Sequence, residues 1–127
     1  MSRFLLDTSV LIDAERAADL EGAISVASIA ELHFGVSKAT DPDERARRIQ
    51  RLGVIEATFD PIPINSAIGR EWGRLAATVV ERGGQPRRRA LDLLIASTAN
   101  VQGVPLLTLN ISDFKIIEDL VIVRSTT

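Results

Sequence analysis

Short apolar runs alternate with longer amphipathic stretches along this chain of 127 residues. Such runs are typical of parallel strands buried on both faces, which are apolar throughout and do not alternate. They predict strands at residues 3–6, 23–27, 104–108 and 121–123. Residues 61–64 can form only a short extended segment, because two prolines there leave few backbone donors.

The stretches between these runs carry apolar residues at helical spacing and begin with helix-capping residues. Ser28 and Glu31 form a capping box, Asp41 precedes a proline, and Asn65 or Ser66 caps the next helix. Helices are predicted at 10–17, 28–38, 42–56, from 66 to the glycines at 83–84, and from 91 to Gly103, with loops at 85–89 and 109–114.

This alternation of strands and helices predicts an α/β fold, with a central, mostly parallel sheet of about five short strands flanked by helices on both faces. A composition of 46% hydrophobic and 25% charged residues fits one domain spanning 1–127. No apolar run approaches the ~20 residues of a membrane span, and the N-terminus lacks the pattern of a signal peptide. We therefore expect a cytoplasmic protein with no membrane partner.

The composition also restricts the chemistry. The chain has no cysteine and one histidine, His33, which excludes disulfides, thiolate nucleophiles and most zinc centres. A metal ion would have to be held by carboxylates, which favour hard cations such as Mg²⁺ or Mn²⁺.

Four acidic residues are predicted at one end of the sheet, where parallel α/β folds place their ligands. Asp7 ends the first strand, Glu31 lies in the first turn of the following helix, Asp92 begins another helix, and Asp113 follows the 104–108 strand. With no lysine between them these acids would repel one another, so the cluster predicts a bound cation.

Each acid also has a purely structural interpretation. Asp7 could cap a helix, Glu31 could complete the capping box, Asp92 could favour the helix dipole, and Asp113 could form an Asx turn. These alternatives remain open for each residue taken singly.

Small residues on one face of the helix that follows Asp92 point to a close approach. Ala96 and Ala99 lie four and seven residues after Asp92. They would let this helix pack closely on the sheet and bring Asp92 near Asp7. An alanine-lined packing face explains the same pattern and is compatible with it.

Basic residues concentrate in the middle of the chain. Residues 38–89 carry 11 Lys and Arg against 7 Asp and Glu, whereas the two ends together carry 4 against 10. Thirteen of the fifteen cations are arginine, which suits bidentate phosphate contacts. Charge alone is equally typical of an ordinary mixed surface.

Four segments resemble the signature blocks of PIN domains, in particular those of VapC toxins from bacterial toxin–antitoxin pairs. The segments are Phe4-Leu-Leu-Asp-Thr-Ser-Val-Leu-Ile12, Val26-Ala-Ser-Ile-Ala-Glu-Leu-His-Phe-Gly35, Leu91-Asp-Leu-Leu-Ile-Ala-Ser-Thr-Ala99 and Leu107-Thr-Leu-Asn-Ile-Ser-Asp-Phe114. Each block is weak alone, but the four occur in order along the whole chain.

This resemblance implies a Mg²⁺- or Mn²⁺-dependent endoribonuclease that acts on RNA, forms a homodimer and is held inactive by a cognate VapB-type antitoxin. The positions that match the catalytic and metal-binding acids of the family are Asp7, Glu31, Asp92 and Asp113. Asn110 matches a supporting polar position, and Leu109 stands where many relatives have arginine.

The resemblance also suggests roles within the site. Asp7 and Asp92 would be the closest metal ligands, Glu31 and Asp113 would complete the site through waters or a second metal, and one of these two could take the proton of the water. The Thr8 and Ser9 hydroxyls would cap a helix or contact a water molecule near the metal, because no base is predicted beside them.

Arginines on two segments are candidates for binding RNA. Arg87, Arg88 and Arg89 directly precede the Asp92 helix. The second candidate is the helix that carries Arg45, Arg47, Arg48 and Arg51. An equally good interpretation of that helix is a solvated face paired to neighbouring acids.

Two single residues are given structural roles. His33 is expected to be packed or solvent-facing, and Trp72 is expected in the core or at a subunit interface.

Two other classes of protein are alternatives to this family. A PIN-fold binding module without catalysis would keep the fold and lose the chemistry. A receiver-type signalling domain would need paired acids after the first strand and a lysine late in the chain, whereas Asp7 stands alone and Lys115 is misplaced.

Overall fold

Four short parallel strands form the centre of the computed structural model, which describes residues 2–126. They are β1 (Phe4–Leu6), β2 (Gly22–Ala23), β3 (Leu106–Thr108) and β4 (Val123–Ser125). Their order in the sheet is β2-β1-β3-β4. β1 therefore pairs with β3, with Leu5 opposite Leu106 and Leu6 opposite Leu107.

Helices connect these strands. They are α1 (Ala14–Ala18), α2 (Val26–Lys38), α3 (Pro42–Thr58), α4 (Ser66–Glu81) and α5 (Ala90–Gln102). Short 3₁₀ segments lie at Thr8–Ile12, Pro86–Arg89 and Ile111–Ile117. Within residues 2–126, no helix is both long enough and apolar enough to cross a bilayer.

Separate hydrophobic cores lie on the two faces of the sheet. Leu5 and Leu106 pack with residues of α4 and α5 in one core. Leu6 and Leu107 pack with residues of α1, α2 and α3 in the other. Successive strand residues point to opposite faces, so each strand serves both cores. The prediction of a parallel sheet covered on both faces is confirmed.

The predicted number of strands, about five, is slightly too high. The segment at 61–64 makes a single bridge, between Ile62 and Ser25. Ile62 accepts a hydrogen bond from the Val26 amide and donates one to the Ile24 carbonyl. Pro61 and Pro63 lack the amides that would extend this ladder, so it remains one bridge.

The predicted boundary between the second strand and the next helix is wrong. β2 ends at Ala23 and α2 begins at Val26, two residues before the predicted helix. Its cap is Ser25, whose side chain accepts a hydrogen bond from the Ala27 amide. Ser28 and Glu31 therefore do not form a capping box, and both side chains are available for other contacts.

Other boundaries differ because short 3₁₀ segments carry weak sequence signals. The helix predicted at 10–17 breaks at Asp13, which caps α1 by accepting a hydrogen bond from the Arg16 amide. The predicted loops at 85–89 and 109–114 are largely 3₁₀. The last strand is β4, two residues later than the predicted strand.

The strongest cap signals give the correct helix ends. The side chains of Asp41 and Asn65 accept amide hydrogen bonds at the starts of α3 and α4. α5 ends before Gly103, whose φ of 71° is the left-handed conformation that glycine adopts readily.

Candidate active site

All four predicted acids line one open pocket of ≈ 430 Å³ at the carboxyl ends of β1 and β3. The predicted polar residues Thr8, Ser9 and Asn110 line it as well. Asp7 directly follows β1, and the loop after β3 supplies Asn110 and Asp113. The parallel pairing of these two strands is therefore what brings residues separated by 100 positions to one place.

Asp7 is held by hydroxyl groups. The side chains of Ser9 and Thr108 both donate to its Oδ2, at 2.8 Å each. Asp7 is only 5% exposed, yet its Oδ1 accepts no hydrogen bond from the described residues. Its side chain does not cap the following 3₁₀ segment, so the capping interpretation of Asp7 is wrong.

Glu31 is held in a similar way on α2. Thr8 donates to its Oε1 at 2.8 Å, and the hydroxyls of Thr8 and Ser28 are themselves 2.8 Å apart. Burial raises the pKa of Glu31, the Thr8 hydrogen bond opposes that shift, and the charges of Asp92 and Asp7 add to it. Glu31 thus titrates under the influence of two other acids of the pocket.

Asp92 reaches the pocket from the first turn of α5. Ala96 and Ala99 are fully buried against the sheet, as expected for a helix that approaches it closely. Burial raises the pKa of Asp92, and the negative charge of Asp7 raises it further. A hydrogen bond from Arg89 opposes the shift.

Arg89 lies among the acids, which the sequence analysis did not expect. Its Nη1 is 3.1 Å from Asp113 Oδ1 and 3.4 Å from Asp92 Oδ2. Arg89 therefore neutralises part of the acidic site instead of lying free on its rim. Its neighbour Arg88 lines an adjacent pocket that Arg89, Asp92 and Asp113 also line, and Arg87 lines a further pocket with Trp72.

The four carboxylates are spread around the pocket wall. Between residues 2 and 126, no three His, Cys, Asp or Glu side chains are grouped closely enough to hold a metal ion as they stand. Mutual repulsion favours such spreading. The residues that the sequence predicts share one pocket, but they do not form a closed coordination shell.

Thr108 and Ser28 contact residues of the acidic pocket, although neither is among the predicted site residues. Thr108 is fully buried, and besides its bond to Asp7 it accepts a hydrogen bond from the Asn110 amide. Its signal in the sequence is a hydroxyl at the end of an apolar strand. Its role becomes visible only when β3 is known to pair with β1.

Three of the four arginines of α3 bond to other groups of the protein, and the fourth lines the acidic pocket. Arg47 and Arg48 pair with Glu44 on the helix surface, which confirms the solvated-face interpretation for them. Arg45 donates to the Ala39 carbonyl oxygen. Arg51 alone lines the acidic pocket.

His33 and Trp72 lie outside the acidic pocket, as expected. His33 is exposed, with its Nε2 3.0 Å from Glu56 Oε1. Trp72 packs against the core and its indole Nε1 donates to the Ala90 carbonyl oxygen at 3.0 Å. Trp72 thereby ties α4 to the start of α5, two residues before Asp92.

Comparison with known proteins agrees with this geometry. The family model of the PIN domain matches residues 4–119. Ribonuclease VapC4 of Mycobacterium tuberculosis (strain ATCC 25618 / H37Rv) is 34% identical, with 84% of this chain and 85% of that protein covered. Ribonuclease VapC5 of the same strain is also 34% identical, with 82% and 80% covered.

Solved structures give the same result. VapBC-5 from Mycobacterium tuberculosis, a member of the VapBC family of toxin–antitoxin systems, superposes with a TM-score of 0.79 and 31% identity over 96% of this chain and 95% of that one. VapBC2 from Rickettsia felis, bound to a DNA fragment from the promoter, has a TM-score of 0.77 and 25% identity, with 98% of each chain covered. These matches support a PIN domain and not the alternative of a receiver-type signalling domain. The chain belongs to the PIN domain family, within its VapC group.

Proposed function

We propose that this protein is the toxin of a VapBC-type toxin–antitoxin pair and acts as a divalent-metal-dependent endoribonuclease. The observation that carries the proposal is the convergence of Asp7, Glu31, Asp92 and Asp113 in one pocket. The family membership supports it, since the similar proteins are named ribonucleases and VapBC toxin–antitoxin systems.

The donor chemistry of the pocket fits Mg²⁺ or Mn²⁺. Every charged donor is a carboxylate, the ligand type that these ions prefer. Each of the four carboxylates keeps one oxygen that accepts no hydrogen bond from the described residues: Asp7 Oδ1, Glu31 Oε2, Asp92 Oδ1 and Asp113 Oδ2. We assign Asp7 and Asp92 as the closest ligands, with Glu31 and Asp113 completing the site.

Hydrolysis of a phosphodiester needs a nucleophilic water molecule and neutralisation of phosphate charge, and a bound divalent ion supplies both. The chain's own residues orient the carboxylates and accept the proton of the water. Ser9 and Thr108 fix the Asp7 carboxylate, and Thr8 fixes that of Glu31. The raised pKa of Glu31 brings its basicity closer to neutral pH, which suits it to accept the proton of the attacking water.

The proposed partners follow from the same site. A VapB-type antitoxin would inhibit by covering the acidic pocket, and RNA would enter through its open side. We also propose that the toxin is a homodimer and that it acts in the cytoplasm. Ile68, Leu75 and Val79 of α4 are buried in the core, so a dimer contact on that helix would use its exposed side.

The test is cleavage of total cellular RNA by antitoxin-free protein with Mg²⁺, with Mn²⁺ and with EDTA, beside the Asp7→Asn variant. We expect discrete fragments that require metal and are at least about a hundredfold less abundant with Asp7→Asn, because a ligand is lost. Cleavage that persists in EDTA or in the variant would contradict the proposal.

The second candidate, a PIN-fold binding module without catalysis, is favoured by one observation. Arg89 already occupies Asp92 and Asp113, two of the four proposed metal-site residues. RNA that stays intact under all conditions, together with no Mn²⁺ binding in a calorimetric titration, would support this alternative.

A further inference from the structure

Arg51 differs from the other arginines of α3 in having no partner in the described part of the chain. Arg45, Arg47 and Arg48 each donate to a backbone carbonyl or to Glu44. The guanidinium of Arg51 makes no hydrogen bond or ion pair with any of residues 2–126, and its Nε is buried without an acceptor. A buried charged donor left without an acceptor destabilises the folded protein, so this arrangement calls for an explanation.

The position of Arg51 supplies that explanation. Its side chain lines the same pocket as Asp7, Glu31, Asp92 and Asp113. None of these carboxylates lies within ion-pair distance of Arg51, although Arg89 pairs with two of them. The positive charge of Arg89 is thus committed to the acidic site, whereas that of Arg51 is free to meet an incoming anion.

We propose that Arg51 binds a phosphate of the RNA chain beside the scissile bond, a role that rests on the proposed ribonuclease function. A planar guanidinium offers parallel donors that match two oxygens of one phosphate. RNA that enters a pocket with four carboxylates requires a nearby cation that those carboxylates do not neutralise. Rotation of the Arg51 side chain towards the phosphate would also give its buried Nε an acceptor.

The test is binding of a fluorescently labelled single-stranded RNA of about 20 nucleotides to the full-length, antitoxin-free protein. EDTA prevents cleavage, and anisotropy is recorded from about 50 to 300 mM KCl. The variants are Arg51→Gln, Arg51→Lys and the matched control Arg47→Gln, which removes a charge from the same helix outside the pocket. Circular dichroism checks that each variant is folded.

Each single-strand phosphate contact contributes about 0.7 to the slope of log Kd against log salt concentration. We expect Arg51→Gln to lower the slope by about 0.7 and to weaken binding about tenfold near 100 mM salt, while Arg47→Gln matches wild type. Arg51→Lys should restore the slope, because it keeps the charge. With metal present, Arg51→Gln should raise KM more than it lowers kcat.

Two results would overturn the assignment. In the first, Arg51→Gln has the same slope of log Kd against log salt concentration as wild type, while the wild-type protein cleaves RNA. The ribonuclease function would then stand without this contact. The other is unchanged RNA binding with loss of binding to poly-L-glutamate, which would assign Arg51 to protein carboxylates. A wild type that neither binds nor cleaves RNA would overturn the function as well.

Discussion

The two halves of the acidic pocket hold their carboxylates in different ways. In the hydroxyl half, Asp7 and Glu31 accept hydrogen bonds from uncharged hydroxyls, those of Ser9, Thr108 and Thr8. In the arginine half, formed by Asp92, Asp113 and Arg89, a guanidinium bridges two carboxylates. The hydroxyl half contributes the buried Asp7, whereas the guanidinium of the arginine half is half-exposed.

The hydroxyl half therefore orients its carboxylates, whereas the arginine half neutralises part of their charge. A hydroxyl fixes the direction of a carboxylate without cancelling its charge, so the hydroxyl half is ready to bind a cation. Arg89 supplies the positive charge in the arginine half, and a metal ion must compete with it there. Removing a hydroxyl from the one half and removing Arg89 from the other should therefore change metal affinity in opposite directions.

The largest effect is expected in the hydroxyl half. Thr108→Val preserves shape but removes the donor to Asp7 and the acceptor of the Asn110 amide. We expect the free energy of unfolding to fall by about 1–3 kcal/mol and Mn²⁺ affinity to fall about tenfold. Urea denaturation and calorimetric titration measure these two quantities.

A matched control for this prediction lies on α5. Thr98 is equally buried, and its hydroxyl donates to the Leu94 carbonyl oxygen, outside the acidic pocket. Thr98→Val should leave Mn²⁺ affinity unchanged. Equal losses of affinity in both variants would show that Thr108 acts through general stability and not through Asp7.

An effect of opposite sign and smaller size is expected in the arginine half. Arg89→Gln removes the cation that competes for Asp92 and Asp113, so Mn²⁺ should bind several-fold more tightly. The metal-free protein should lose at most about 1 kcal/mol of stability, because exposed ion pairs contribute little. Arg88→Gln, which removes the neighbouring charge, serves as the control. Weaker Mn²⁺ binding by Arg89→Gln would contradict competition.

The smallest effect concerns pH. Because burial raises the pKa of Glu31, folded protein binds this proton more tightly than unfolded protein does. Stability from Glu31 is therefore full below its ordinary pKa of 4.5 and is lost as the pH rises through the folded value. Metal-free Glu31→Gln should gain stability relative to wild type as the pH rises from about 4 to 7.

The unfolding free energies of these two proteins are compared at each pH. Their difference contains the contribution of Glu31 and not that of the ion-paired acids, whose lowered pKa values make stability rise with pH. Glu44, Glu71 and Asp119 contribute such shifts in both proteins. A constant difference between variant and wild type would contradict the prediction.

Much of the fold could be predicted because its signals are local. Buried parallel strands are apolar throughout, and strong caps such as Asp41 and Asn65 depend on neighbouring residues only. The prediction failed where a tertiary contact decided the outcome. Ser25 and not Ser28 caps α2, and a bridge to the distant Ile62 holds Ser25 in its extended conformation just before the helix.

The sequence by itself determined which acids gather at one end of the sheet, because parallel strands all present their carboxyl ends there. It also determined that any metal ligands are carboxylates, since cysteine is absent and histidine occurs once. Only the tertiary structure decided how each acid is held. Thr108 meets Asp7 through the pairing of β1 with β3, Arg89 reaches two acids from different elements, and Arg51 lines the pocket unpaired. These contacts join residues distant in sequence, and their geometry is fixed by packing, which no local pattern encodes.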